Sequence, residues 1–172
     1  QQHKQNVTET LRKGIAGMLK KGRVDVYTGK ARITEPNTVE IEAEAENEVL
    51  QAENILICTG SSPAVLPVPG IGLPNVVTSD ELLDSDILYK RLVIIGGGVI
   101  GMEFASIYNA LGTEVTVIEA LDRILANMDK EFSQSLRMLS KKRGIDIHTS
   151  SLVKEIRKGD GGNLICVYEE KE

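Results

Sequence analysis

LVIIGGGVIGMEFASIYNALGTEVTVIEA, residues 92–120, is the stretch that decides the fold. Its first four residues form a short apolar run, which predicts a buried β-strand, and Gly96, Gly98 and Gly101 then occupy the glycine positions of G-x-G-x-x-G. The next residues predict a helix that ends at Gly112, and TEVTVIEA predicts a second buried strand. The helix has one expected apolar stripe: Ile100, Phe104, Ile107, Tyr108 and Leu111.

Each glycine of the turn has a mechanical reason to be there. The first permits a tight turn out of the strand, the second lets a pyrophosphate approach the backbone, and the third lets the helix pack against the sheet. Gly97 adds a fourth residue without a side chain. A helix that begins in such a turn directs unpaired amides and its positive dipole end towards a ligand, so main chain binds the phosphates. The sequence contains no G-K-S/T, which excludes a triphosphate loop of the Walker type.

An acid closes the second predicted strand. Glu119 lies 23 positions after Gly96, where a carboxylate can accept hydrogen bonds from both hydroxyls of an adenosine ribose. A 2′-phosphate there would be repelled, because two like charges about 4 Å apart cost roughly 1 kcal/mol in water and about 4 kcal/mol at a protein-like dielectric. The stretch therefore favours NAD(H) over NADP(H). Arg123 could soften that preference, but on a turn we interpret it as a solvated surface charge. The alternative is a glycine-rich turn that joins a strand to a helix without any ligand.

Downstream residues continue the alternation of helices and strands. NMDKEFSQSLRMLSKKRG predicts a second helix that ends at Gly144, with Phe132, Leu136 and Leu139 on its buried face. IDIHT then predicts a strand, and LVKEIRKGDGGNLICVYEE predicts a hairpin with GDGG at its turn. Strand, helix, strand, helix, strand is half of a doubly wound sheet, so the fold class is α/β, with a Rossmann-like, three-layer but incomplete domain.

Upstream residues predict a helix, short strands and a connection. The helix ends at Gly22 and has one apolar stripe: Val7, Leu11, Ile15, Met18 and Leu19. RVDVYTG, TVEIEAEAE and NILICTG follow as strand-like runs. Strict alternation in the second run predicts an antiparallel β-meander with one solvated face, whereas ILIC predicts a strand covered on both sides. Residues 61–74 are proline-rich and predict an extended connection, after which Thr78 and Glu81 form a capping box for a short helix ending near YKR.

Composition excludes several classes of function. The net charge is −5, and its 25 acidic and 20 basic residues are interspersed, so we expect neither nucleic acid nor anionic lipid as a partner. No apolar run approaches the roughly 20 residues that span a bilayer, and the opening QQHKQNVTET lacks the layout of a secretory signal, so we expect a cytoplasmic protein. Cys58 and Cys166 lie in aliphatic runs and are expected to be buried, inert thiols. His3 and His148 have no neighbours at metal-ligand spacing, so no metal site is predicted.

Three motifs carry a resemblance to a known family. GGGVIGMEFA, VIEALDRIL and ICTGSSP together resemble the flavin-dependent pyridine nucleotide-disulfide oxidoreductases, and most closely the dihydrolipoamide dehydrogenases among them. HKQNVTETLRKGIAGMLKKGRVDVYTGKARI is similar to the segment that follows the family's redox disulfide. The resemblance implies that residues 1–65 are part of an FAD domain containing the meander, and that 66–90 are a connection with a short helix. It also implies that 91–172 are an NAD-binding domain truncated at its C-terminal end.

The resemblance also implies cofactor-binding residues. Those matching the family's NAD site are Gly96, Gly97, Gly98, Val99, Ile100, Gly101, Met102 and Glu103 in the turn and first helix, Glu119 at the ribose, and Val153 near the adenine. Those matching positions whose backbone lines FAD are Ala31, Thr59, Gly60 and Ser61. Simpler interpretations stand beside two of these assignments. Glu103 could be a first-turn acid that complements the helix dipole, and the four flavin positions could be ordinary turns at strand ends.

The family's catalytic parts are not in this sequence. It has no C-x-x-x-x-C pair, no earlier G-x-G-x-x-G for FAD and no C-terminal histidine with its glutamate. We therefore expect an NAD(H)-binding fragment without catalytic residues, which neither retains FAD nor oxidises dihydrolipoamide. For the parent, the resemblance implies a homodimer associated with a 2-oxo acid dehydrogenase or glycine cleavage complex. A related NADH oxidase, coenzyme A disulfide reductase, or mercury or glutathione reductase is the alternative, as is a non-catalytic Rossmann assembly module. Uncovered apolar faces, notably the N-terminal stripe and residues 55–58, predict self-association of the chain.

Overall fold

A computed structural model of the chain describes residues 1–44 and 46–171, which form two compact units, Gln1–Ser62 and Pro63–Glu172. The first unit contains α1 (Gln2–Lys21), β1 (Lys30–Glu35), β2 (Thr38–Glu42) and β3 (Glu48–Gln51). The second contains α2 (Ser79–Asp84), β4 (Arg91–Ile95), α3 (Val99–Ala110), β5 (Glu114–Ile118), α4 (Lys130–Lys142), β6 (Asp146–His148), β7 (Ser151–Lys158) and β8 (Leu164–Glu170). Helices together with parallel and antiparallel strands confirm the predicted α/β class.

The N-terminal helix forms as its periodicity predicts, and Gly22 follows its last residue. The left-handed residue that ends it is nevertheless Arg23, with φ 56°, because the amides of Arg23 and Val24 turn back to the carbonyls of Lys20 and Leu19. No residue of α1 is buried within the structure, and its stripe of Val7, Leu11, Ile15 and Met18 faces solvent. None of the helices in the described ranges is long and apolar enough to cross a bilayer.

The predicted antiparallel meander is confirmed, with β2 between β1 and β3. Alternation along β2 has the expected effect, since Ile41 is buried while the flanking Glu40 and Glu42 are exposed. The strands beside β2 lie at 30–35 and 48–51. The strand-like run predicted at residues 23–29 forms no strand, so the meander uses the sequence that immediately flanks β2 on either side.

Residues 55–58 differ most from their prediction. They form no strand, Leu56 is 88% exposed, and Cys58 is exposed as well, so both the doubly covered strand and the buried Cys58 are wrong. An apolar run becomes a buried strand only when neighbouring strands pair with it, and the described strands of the first unit pair only among themselves. Cys166 is partly buried in β8, closer to its expectation, and burial raises the pKa of its thiol.

The second unit is organised around a three-stranded parallel sheet in the order β4-β5-β6. Leu92 lies opposite Val115, and Val117 lies opposite Ile147, so the predicted strand–helix–strand–helix–strand unit is confirmed. The central strand is the most buried, with Val115 at 1% and Val117 at 0% exposure. Because the strands are parallel, their carboxyl ends lie at one edge of the sheet, at residues 95, 118 and 148.

α3 and α4 bury only part of their predicted stripes. In α3, Tyr108 of the predicted stripe is buried together with Met102 and Ala105, and Phe104 is partly buried, whereas Ile100 and Ile107 are 59% and 54% exposed. The helix is apolar almost all round, so periodicity did not single out one face, and the small Ala105 allows the closer approach to the sheet.

α4 shows the same effect with serines. It buries Ser133 and Ser140, with Leu136 partly buried between them, while the predicted Phe132 and Leu139 are 64% and 51% exposed. Small side chains let the helix lie close to its neighbours, and the hydroxyl of Ser133 remains satisfied because it donates to the Ile124 carbonyl at 2.6 Å.

The remaining elements follow the sequence closely. The amide of Thr78 donates to the Glu81 carboxylate at 2.6 Å, which confirms the capping box, although α2 ends at Asp84 rather than near 89–91. β7 and β8 form the predicted antiparallel hairpin, with a 3-10 turn at Asp160–Gly162. The proline-rich connection lies beside this hairpin, because the Ile156 amide donates to the Pro69 carbonyl at 2.8 Å.

Candidate functional site

The glycine turn lies at the carboxyl edge of the parallel sheet, between β4 and α3, and each glycine has a distinct environment. Gly96 has φ 108°, a conformation that residues with a side chain rarely adopt. A Cβ on Gly98 would meet nothing within 4 Å, so this position is open to a ligand. A Cβ on Gly101 would collide with the Gly96 carbonyl oxygen. The geometry agrees with the three mechanical reasons predicted from the motif: turn, approach and packing.

Unpaired backbone amides are concentrated at the same place. The amide of Met102 makes the first hydrogen bond of α3, to the Gly98 carbonyl at 3.0 Å. Within the described chain the four preceding amides, at residues 98–101, have no acceptor, and no side chain caps the helix. Gly98, Val99 and Ile100 are exposed, so these donors face solvent rather than side chains. Free amides at exposed residues, together with the positive end of a helix, can bind an anion such as a diphosphate.

The carboxylate of Glu119 faces this turn. Its Oε2 accepts the Gly97 amide at 2.6 Å, and its Oε1 accepts the Leu121 amide at 2.8 Å. Gly97 is buried and its carbonyl accepts the Leu125 amide at 2.8 Å, so this residue is held from both sides. Its amide is therefore not one of the free donors. Glu119 is half-buried, and each of its oxygens keeps a second lone pair for a ribose hydroxyl.

Arg123 is not the solvated surface charge that the sequence indicated. Its Nη2 donates to the Ala126 carbonyl at 2.9 Å, and its Nε is buried without a hydrogen-bond partner in the described structure. The side chain folds back over its own turn and is partly buried. In this arrangement its guanidinium stabilises the loop that follows Glu119, and it does not extend freely towards a 2′-phosphate.

The other residues matched to the NAD site separate into two groups. Val99 and Ile100 lie exposed in the first turn of α3, beside the free amides. Met102 and Val153 are 4% and 6% exposed, so their side chains belong to the interior of the second unit. Glu103 is exposed and comes after the first turn, which contains no acid, so its interpretation as a first-turn acid is wrong.

The four positions matched to the flavin site lie in the first unit. Ala31 is exposed in β1, opposite Ile41 of β2. Thr59, Gly60 and Ser61 are exposed and outside any helix or strand, and Gly60 has φ 72°. Among the described residues no hydrogen bond joins Ala31 to residues 59–61.

A cluster around His148 was not found by sequence reasoning. Its Nε2 lies 2.8 Å from Asp146 and its Nδ1 lies 2.9 Å from Glu170, while Tyr168 places its hydroxyl 3.2 Å from Nδ1. Burial opposes protonation, but the two carboxylates outweigh it and raise the pKa of His148. The spacing D-x-H was visible, but its second carboxylate comes from β8, which only the tertiary fold brings close. In the described chain no group of His, Cys, Asp and Glu could hold a metal ion.

Comparison with known proteins decides the family. A family model described as pyridine nucleotide-disulphide oxidoreductase matches residues 1–172. The chain belongs to this family.

Curated relatives in the pyridine nucleotide-disulphide oxidoreductase family include dihydrolipoyl dehydrogenases. One from Bacillus subtilis is 41% identical over 181 residues, covering 100% of this chain and 38% of the relative. Another, from Acholeplasma laidlawii, is 42% identical over 159 residues, covering 89% of this chain and 46% of the relative. The chain thus spans less than half the length of either relative, and the resemblance noted from the motifs is confirmed.

Solved structures of the family share the fold. The HOCl-induced flavoprotein disulfide reductase RclA from Escherichia coli matches with a TM-score of 0.82 and 28% identity, over 98% of this chain and 40% of that one. The water-forming NADH oxidase from Lactobacillus brevis, bound to NADH, matches with a TM-score of 0.67 and 22% identity, over 81% of this chain and 33% of that one. The second likeness, at lower identity, shows the fold alone.

Proposed function

We propose that the second unit binds NAD(H), with the diphosphate at the glycine turn and the adenosine ribose at Glu119. The observation that carries this proposal is the set of four unpaired amides at residues 98–101, three of which belong to exposed residues, beside a glycine without a blocking side chain. A diphosphate carries the charge that such donors stabilise. Glu119 lies against the same turn through its bond to Gly97, so one ligand can contact both features.

The same site is proposed to prefer NAD(H) to NADP(H). Glu119 accepts two main-chain amides, and both bonds require an acceptor on each carboxylate oxygen. Its charge would oppose a 2′-phosphate, while its remaining lone pairs can accept ribose hydroxyls. Arg123 does not compensate, because its guanidinium is engaged with the Ala126 carbonyl.

We further propose that a longer protein containing this chain is a dihydrolipoyl dehydrogenase-like flavoprotein, in which electrons pass from dihydrolipoamide through a redox disulfide and FAD to NAD. The named relatives support this assignment. Flavin and nicotinamide supply the hydride chemistry, and the residues of this chain bind and orient the dinucleotide. Its two cysteines lie 108 positions apart and cannot serve as the C-x-x-x-x-C pair. The 172-residue polypeptide is therefore proposed to be colourless and inactive, and diaphorase turnover by a pure sample would contradict this.

The matching flavin positions, Ala31 and residues 59–61, are proposed to contact FAD only in that longer protein. A homodimer, association with a 2-oxo acid dehydrogenase or glycine cleavage complex, and a cytoplasmic location are part of the same proposal. The isolated chain is proposed to self-associate, because large apolar side chains such as Leu11 and Leu56 are exposed at 63% and 88%.

Titration with NADH tests the binding proposal directly. Nucleotide fluorescence should change and saturate in the micromolar to millimolar range for the unaltered chain. Gly98→Ala should weaken NADH about tenfold or more, because the new methyl group stands where a phosphate approaches and removes at least one charge-assisted hydrogen bond.

The matched control is Gly72→Ala. Gly72 also has nothing within 4 Å of an added Cβ, but it lies in the connection away from the glycine turn, so the substitution should leave the NADH affinity unchanged. Equal losses of NADH affinity in Gly98→Ala and Gly72→Ala would point to a general effect of the added methyl group. Absence of any response from the unaltered chain at millimolar NADH would favour the alternative of a non-catalytic assembly module.

A further inference from the structure

Ser133 is a buried polar residue that the proposed site does not use directly. It lies on α4 at 2% exposure, and its hydroxyl donates to the Ile124 carbonyl at 2.6 Å. Ile124 is fully buried, and its side chain packs on Gly97, where an added Cβ would come within 2.8 Å of the Ile124 Cγ2. The Ser133 hydroxyl, which belongs to α4, therefore contacts the backbone of Ile124, the residue that packs against the glycine turn.

The hydrogen bond of Ser133 is the first in an unbroken series. The carbonyl of Ile124 and the amide of Leu125 belong to one peptide unit, and that amide donates to the Gly97 carbonyl at 2.8 Å. The carbonyl of Gly97 in turn shares its peptide unit with the amide of Gly98, which is free and faces open space. The three donors, at Ser133, Leu125 and Gly98, point in the same sense along the series.

We propose that Ser133 is a positioning residue for the nucleotide site, acting through the Ile124–Leu125 and Gly97–Gly98 peptide units on the amide of Gly98. Peptide units hydrogen-bonded head to tail polarise one another, so a donor on the first carbonyl strengthens the last amide as a donor. The same series fixes the plane of the Gly97–Gly98 peptide and hence the direction of that amide. This inference rests on the proposed function, since the acceptor at the end of the series is the diphosphate.

A second observation supports the series independently. Leu125 has φ 49°, a left-handed conformation that is unfavourable for a residue with a branched side chain. It is held there by burial at 8% exposure and by the Met128 amide, which donates to its carbonyl at 2.8 Å. The amide that donates to the Gly97 carbonyl thus belongs to a residue held in an unfavourable backbone conformation. Such local strain is maintained where the surrounding structure over-determines it, and functional sites are common places for it.

The control for this proposal lies on the same helix. Ser140 is also buried on α4, at 5% exposure, but it lies outside the series of hydrogen bonds. Ser133→Ala and Ser140→Ala each remove one buried serine hydroxyl from α4, so they are matched in residue type and burial, and only the Ser133 variant removes the hydrogen bond to the Ile124 carbonyl. Ser133→Cys keeps the volume and a weak donor, and provides an intermediate variant if the alanine variant does not fold.

Two measurements on the 172-residue chain test the proposal. In the empty protein, the amide proton resonance of Gly98 should move upfield in Ser133→Ala and less in Ser133→Cys, and should stay in place in Ser140→Ala. In NADH titrations, Ser133→Ala should weaken binding by about three- to tenfold, the range expected for one buried hydrogen bond. Ser140→Ala should remain within about twofold of the unaltered chain.

The outcomes separate this proposal from the proposed function. An unmoved Gly98 resonance in Ser133→Ala, or equal effects of Ser133→Ala and Ser140→Ala, would overturn the positioning role. If the unaltered chain does not respond to NADH, the proposed function fails, and the Gly98 resonance in the empty protein still decides whether the series exists. A shifted resonance with an unchanged NADH affinity would overturn the functional part of the inference.

Discussion

Alanine substitutions along the glycine turn should separate its mechanical roles. The three positions Gly97, Gly98 and Gly101 differ in what an added Cβ would meet. At Gly101 it would collide with the Gly96 carbonyl oxygen, at Gly97 it would come within 2.8 Å of the Ile124 Cγ2, and at Gly98 it would meet nothing within 4 Å. We therefore expect the loss of stability to decrease in the order Gly101→Ala, Gly97→Ala, Gly98→Ala.

The expected losses of stability depend on which atoms an added Cβ would displace. At Gly101 the obstacle is backbone, so the first turn of α3 must shift away from β4, at a cost of about 2–3 kcal/mol. At Gly97 the obstacle is the Cγ2 of the buried Ile124 side chain, which must shift rather than the backbone, and about 1–2 kcal/mol is expected. At Gly98 the N-cap has φ −71°, which alanine adopts readily. There, loss of a good N-cap residue and the reduced entropy of the unfolded chain offset each other to within about 0.5 kcal/mol.

Urea unfolding followed by circular dichroism is the assay. With a slope of about 2 kcal/mol per molar urea, Gly101→Ala should lower the midpoint by about 1 M at an unchanged slope, and Gly98→Ala should leave it in place. Gly98→Ala should instead lower the NADH affinity while the protein stays folded. A midpoint for Gly101→Ala equal to that of the unaltered chain, or a larger loss in Gly98→Ala than in Gly101→Ala, would refute the assignment of packing to one glycine and ligand approach to the other.

Four further outcomes are expected. The two carboxylates raise the pKa of His148. Its contribution to the free energy of unfolding, on the order of 1 kcal/mol, should be present below the unfolded-state pKa and be lost as pH rises through the folded-state pKa. Urea midpoints of His148→Gln should lack that part of the pH dependence. Glu119→Gln should raise the affinity for NADPH relative to NADH by about fivefold, measured by paired titrations, and an unchanged ratio would speak against charge discrimination. Light scattering should show concentration-dependent association that Leu11→Glu reduces, because Leu11 is 63% exposed; a monomer at high concentration contradicts this. Alkylation should modify Cys58 before Cys166, since Cys58 is exposed whereas burial raises the pKa of the Cys166 thiol, and equal rates would contradict the difference in burial.

The features that the sequence predicted correctly are those with local causes. The turn at residues 96–101 needs particular backbone conformations and small residues at fixed spacing, so its geometry follows from the motif. The capping box at Thr78 and the GDGG hairpin turn are likewise specified by neighbouring residues. The strands around the turn follow from short apolar runs. Each of these features can be read from a window of about ten residues.

The features that the sequence missed depend on partners distant in the chain. Residues 55–58 look like a buried strand, but a strand requires neighbours, and the pattern does not say whether they are present. α4 shows a different failure: its pattern favoured Phe132 and Leu139, yet the fold buries Ser133 and Ser140. Hydrophobicity ranks side chains by their preference for burial, whereas the distance between a helix and its neighbours selects them by size. The two carboxylates around His148 also come from different strands.

Two residues distant in sequence, Glu119 and Ser133, restrict the glycine turn through hydrogen bonds. Glu119 accepts the Gly97 amide, which belongs to the Gly96–Gly97 peptide unit. Ser133 acts through Leu125 on the Gly97 carbonyl, which belongs to the Gly97–Gly98 unit, so the two residues restrict the adjacent peptide units that meet at Gly97. If each fixes the turn, removing one should reduce the benefit of the other. The losses of NADH affinity in Glu119→Gln and Ser133→Ala should therefore combine less than additively, with a coupling of about 0.5–1 kcal/mol in a double-mutant cycle. Strict additivity would mean that Glu119 acts on the ribose alone and that the turn is rigid without Ser133.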